Sequence, residues 1–172
     1  MRLRRWILLA AAIALVGCQG RRDGAGEQKT LTTAQKAAVE GGVRKFMANV
    51  AQDVTKEGPA AWKREFEDTP AFFLASEGRL VFADGKAAAQ GIESLTHIVK
   101  HIELKWGDDL RVDALTPELA VVGTSWHEER DDVDGHHVSE GGYFTAVVEQ
   151  RNGQWQLRDA HWSVAAPPSK VP

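Results

Sequence analysis

The chain has 172 residues, 43% of them apolar and 26% charged, so it is neither a disordered tail nor an integral membrane protein. Its single cysteine excludes an intrachain disulfide and any zinc site that needs two thiolates. Lys and Arg number 21 against 24 Asp and Glu, a net charge of −3, which leaves no basic excess for gripping nucleic acid.

The first residues read as an address. Arg2, Arg4 and Arg5 precede an apolar run from Trp6 to Gly17, well short of the roughly 20 residues a helix needs to cross a bilayer. Leu15-Val16-Gly17-Cys18 resembles the lipobox of bacterial lipoproteins, with Val16 a little larger than usual. The resemblance implies cleavage before Cys18, acylation of that cysteine and lipid as the membrane partner. Gln19, in place of a retaining aspartate, implies an outer-membrane anchor facing the periplasm. Removing residues 1–17 takes away three basic residues and no acidic ones, moving the net charge from −3 to −6. Anionic headgroups repel such a surface, so lipid must hold it.

Residues 18–32 are rich in glycine, charge and small polar side chains and read as a lipidated flexible tether. Three prolines in the last eight residues mark a loose tail, 167–172. Residues 33–166 are the domain.

The domain opens with an amphipathic helix: Val39, Val43, Phe46, Met47, Val50 and Val54 share a stripe about 100° wide. Gly41 and Gly42 weaken it by roughly 1 kcal/mol each relative to alanine, and mark close packing or a bend. Gly58-Pro59 separates it from a short second helix carrying Trp62 and Phe66 on one face. Strands 71–75 and 79–83 flank the hairpin signal Glu77-Gly78. A third helix is predicted over 86–100, its core face formed by Ile92, Leu95 and Val99 with Ile98 at the margin. Strands follow at 102–106, 110–115, 119–129, 142–150 and 154–164, with reversals at Asp134-Gly135 and Asn152-Gly153. Helices followed by an antiparallel meander define an α+β domain with helices on one sheet face.

This order, and the stretch from Gly142 to Ser163 with its strand, Arg151-Asn152-Gly153 turn and terminal His161-Trp162-Ser163, resembles the nuclear-transport-factor-2-like superfamily in its SnoaL-like branch. Glu118–Trp126 fits the preceding strand and Gly78–Gly91 the hairpin entering the third helix. The resemblance implies a cone of three N-terminal helices on a curved antiparallel sheet around a pocket. It implies no particular reaction, because the superfamily holds isomerases, cyclases, dehydratases and binding modules alike.

No metal or cofactor is expected. His97 and His101, four apart on the predicted third helix, lie off its apolar stripe and read as a solvated face. His127-Glu128-Glu129 lacks the second histidine of a zincin motif, and Asp132-x-Asp134-Gly135 lacks the flanking ligands of a calcium loop. His136 and His137 read as solvated. Asp53, at the edge of the first helix's apolar stripe, is a candidate acid or base; the plain alternative is a surface acid. His161 is another, with Asp159 and Ser163 as same-face neighbours on the last strand; the alternative is a structural hydrogen bond. Tyr143 is the third candidate.

Trp62, Phe66, Trp126 and Trp162 are the aromatics expected to line the pocket. Together they favour an apolar small molecule, and an anionic one is disfavoured for want of an inward arginine other than Arg158. The expected role is a non-catalytic binding or interaction module; the alternative is a small-molecule isomerase, cyclase or dehydratase. A homodimer is expected from large residues on both faces of the last strand, Trp155 and Leu157 opposite Trp162.

Overall fold

The structure is a computed structural model and describes residues 30–165. The segment read as signal, Cys18, most of the tether, residue 166 and the tail 167–172 lie outside the described residues.

Helix α1 (Thr33–Glu57) begins at a capping box. The Gln35 amide donates to Thr32 Oγ1, and the Gln35 side chain accepts from the Thr32 amide, so two end donors are satisfied reciprocally. Leu31, within the stretch read as tether, packs against the core. All six residues of the expected stripe are buried. Gly42 lies under the Trp155 indole, whereas a side chain at Gly41 would meet nothing. Close packing accounts for Gly42, and nothing in the structure explains Gly41.

A 3-10 turn (Gly58–Ala61) leads into α2, one short turn at Trp62–Glu65. The expected second helix is therefore only a turn, and two long helices carry the layer rather than three. Phe66 is extended because the chain there joins the sheet: the Glu67 amide donates to the Leu157 carbonyl. A hairpin, β1 (Phe73–Ser76) and β2 (Arg79–Phe82), precedes α3 (Gly85–Ile98), which Asp84 caps through the Ala87 amide.

The helix ends earlier than expected and passes directly into β3 (Val99–Trp106). His101 thus lies on a strand, not four residues along a helix from His97, and Ile98 is 53% exposed. The strands β4 (Arg111–Thr116), β5 (Leu119–Asp132), β6 (His137–Arg151) and β7 (Gln154–Val164) complete one curved sheet, ordered β2-β1-β7-β6-β5-β3. β4 pairs with the first half of β5 and β3 with the second. Pairing is antiparallel except β1 with β7, which is parallel.

One irregularity decides which way the last strand faces. Val147 pairs with Asp159 but Val148 pairs with Leu157, so Arg158 is an extra residue, a β-bulge. Strict alternation put Trp155, Leu157, Asp159, His161 and Ser163 on one face. Instead Trp155 and Leu157 pack against the core before the bulge, and Ala160 and Trp162 after it. The large residues all point inward, which removes the reason given for a homodimer. No described helix is long and apolar enough to cross a membrane.

Candidate functional site

Between the helices and the concave sheet face lies a cavity of about 310 Å³. Trp62, Phe66, Trp126 and Trp162 all line it, with Leu74, Val81, Phe82, Ile92, Leu95 and Val164 completing the apolar wall. Trp162 is the hub. Its ring lies 4.5 Å from Phe144, 5.0 Å from Trp126, 5.6 Å from Trp106 and 6.0 Å from Trp62, centroid to centroid. Edge-on contacts to Trp62 and Trp126 match the quadrupoles of the rings. The Trp126 indole N–H donates to the Ser163 carbonyl and that of Trp106 to the Met47 carbonyl, fixing both rings.

The acid–base candidates lie elsewhere. Asp53 pairs with Arg64 at 3.0 Å in a separate groove beside α1 and β7. His161 is exposed on the convex face and its imidazole makes no hydrogen bond among the described residues, so the side chain has neither a relay nor a structural partner. Tyr143, 40% exposed, sits on that same convex face. The Ser163 hydroxyl donates to the Tyr143 carbonyl, and Asp159 accepts from the Val147 amide, so the three residues spaced by two form no triad.

The polar corner of the cavity was not anticipated. Trp126, Glu128 and Arg130 share the inward face of β5, and Glu140 stands directly opposite Glu128 on β6. Arg130 Nη1 lies 2.7 Å from Glu128 Oε1 and 3.6 Å from Glu140 Oε1. Glu128 is only 9% exposed. Burial pushes its carboxyl up from the ordinary value; Arg130 opposes that and Glu140 adds to it. Arg130 is the inward arginine that sequence reasoning did not find; Arg158 instead pairs with Glu149. The signal was available: residues two and four places from an inward Trp126, Glu128 and Arg130, face inward as well.

The loop histidines are paired rather than merely solvated. His136 meets Asp132 at 2.7 Å, and His137 bridges Asp131 and Glu129, which hold its imidazole above the ordinary value, Asp131 most strongly. Asp132, Asp134 and His136 converge, but Asp132 already accepts from the Asp134 and His136 amides as part of the turn.

No family model and no curated protein matches the sequence. Solved structures do match the fold. A candidate scytalone dehydratase from Novosphingobium aromaticivorans superposes with a TM-score of 0.69 at 10% identity, over 78% of this chain and 89% of that one. A nuclear-transport-factor-2-like superfamily protein from Salmonella enterica serovar Typhimurium gives 0.66 at 16% identity, over 78% and 96%. A type 2 hexachlorocyclohexane dehydrochlorinase (LinA) gives 0.63 at 13%, over 80% and 99%. The chain has the nuclear-transport-factor-2-like fold. At these identities the likeness extends to architecture and leaves the chemistry open.

Proposed function

We propose that this chain is a SnoaL-like lipoprotein, anchored through lipid on Cys18 to the periplasmic face of the outer membrane, whose domain reversibly binds a flat, largely apolar small molecule without altering it. The observation that carries the binding role is the aromatic cavity itself: four large rings around open space, Trp62 on α2, Phe66 just after it, Trp126 on β5 and Trp162 on β7. Such a wall with a few polar groups at one corner is the usual make-up of a small-molecule site. Tryptophan fluorescence titrated with hydrophobic compounds tests it. Saturable quenching that Trp126→Ala abolishes in a still-folded protein supports the pocket. Absence of any saturable change counts against it.

One observation favours a second reading, a proton-transferring enzyme. Glu128 borders the cavity with its carboxyl raised by burial, as a general acid or base requires, and some proteins of like fold are described as a dehydrochlorinase or a candidate dehydratase. Binding is preferred because, among the described residues, the only side chain hydrogen-bonded to Glu128 is Arg130, and Asp53, Tyr143 and His161 are all outside the cavity. Turnover of a bound compound, lost in Glu128→Gln, decides for the enzyme.

A further inference from the structure

The polar corner is one positive charge short. Glu128 and Glu140 are direct cross-strand partners, an arrangement in which like charges repel. One guanidinium, Arg130, serves both. Among the described residues no other charged group faces Glu128: β3 contributes Leu104 as its partner, β7 Trp162 and Val164, and α3 Ile92 and Leu95.

Glu128 also has an oxygen to offer. Oε1 accepts from Arg130, and Oε2 has no hydrogen bond among the described residues. Yet no fully buried side-chain oxygen there lacks a partner. Oε2 therefore keeps accessible surface, and the open space that Glu128 borders is the cavity. Two residues along β5, Trp126 also lines the cavity, and an indole ring near a cation attracts it.

We propose that the ligand carries one protonated amine on an apolar body, the ammonium donating to Glu128 Oε2 between Glu128, Glu140 and the Trp126 ring. This rests on the cavity being a ligand site. A cation there supplies the missing charge, whereas a carboxylate adds a third anion to a corner with a single arginine. Lowering the pH protonates Glu128 and removes the demand, so amine affinity falls on acidification.

Three indole probes of similar shape test it by calorimetry on the full chain in detergent: tryptamine, tryptophol and indole-3-propionate. The expected order is tryptamine over tryptophol over propionate. The first step is roughly 10–100-fold, the factor a single charge-assisted hydrogen bond supplies. Glu128→Gln keeps the acceptor for Arg130, and in it tryptamine drops to the level of tryptophol; Glu140→Gln, which leaves Arg130 paired with Glu128, narrows the gap and serves if the first variant does not fold. Tryptamine affinity in the wild type falls as the pH is lowered toward the ordinary carboxylate value, a range in which its own ammonium stays charged. If tryptophol binds as tightly as tryptamine, or the preference survives Glu128→Gln, the amine assignment is wrong while the pocket stands. Tighter binding of propionate makes Arg130 the anchor and overturns it as well. If no probe binds, the pocket reading and the amine fall together.

Discussion

Gly142 sits where β6 joins its neighbours, opposite Trp126 on β5 and Val164 on β7. A Cβ built there would run into the Ser163 carbonyl oxygen and lie 2.8 Å from the carbonyl carbon and 3.0 Å from Val164 Cα. These are backbone atoms and cannot swing aside as a side-chain tip can. The same carbonyl accepts the Trp126 indole N–H, so Gly142→Ala strains the sheet and releases a cavity wall at once. Overpacking of this kind costs about 1–3 kcal/mol, and the hydrogen bond adds about 1 kcal/mol. For a domain this size, each kcal/mol moves Tm by roughly 3–4 °C, so a fall of roughly 6–16 °C is expected. Gly41→Ala is the control, because its Cβ meets nothing and alanine is the better helix former; it should raise Tm by roughly 3 °C. Differential scanning calorimetry of the two variants decides. An unchanged or higher Tm in Gly142→Ala refutes the claim that glycine is needed there for space.

Glu128 is an acid raised by burial first and by Glu140 second, so its contribution to stability is fully present below the ordinary carboxylate value and is lost as pH rises through the raised one. Each unit of elevation is worth about 1.4 kcal/mol, and denaturant midpoints of Glu128→Gln should rise relative to wild type as pH goes from about 4 to about 8. Trp162→Ala removes the ring touching Trp62, Trp106, Trp126 and Phe144; about 3–5 kcal/mol of stability should go with it, read by urea unfolding. Asp53→Asn and His161→Ala border no part of the cavity and should change ligand affinity less than about twofold. Cys18→Ser should release the protein or leave the precursor uncleaved; wild type and variant fractionating alike as soluble protein would rule out the anchor.

Much of the fold is legible because burial is one-sided. Each buried position of α1 follows from a 3.6-residue period. The turn residues worked as well: Asn152 and Gly153 both take positive φ between β6 and β7. What escaped is non-local or lacks a marker. Nothing in residues 73–76 announces parallel pairing with a strand 86 positions away, such as Phe73 with Asp159. No glycine or proline separates α3 from β3, so His101 was assigned to the wrong element. The Trp62–Glu65 helix stopped short because tertiary pairing at Leu157 outweighed local propensity at Phe66 and Glu67.

The bulge at Arg158 ties the two kinds of miss together, because it is invisible in the sequence and yet decides what the cavity is made of. A one-residue shift turns every later side chain to the opposite face of the sheet. Continued alternation from the core residue Leu157 would send Asp159, His161 and Ser163 inward and turn Trp162 out to the convex side. That is the arrangement in which a histidine and an acid on one strand look like chemistry. The extra residue reverses it: Trp162 becomes the hub of the aromatic wall, and His161 faces away from the cavity. β5 has no such interruption between Trp126 and Arg130, where its pairing with β6 runs in unbroken register. Its alternation holds, and two of the three charges lining the cavity, Glu128 and Arg130, come from that strand. The candidate chemistry therefore moved from β7 to β5. The residue that moved it, Arg158, lines no part of the cavity.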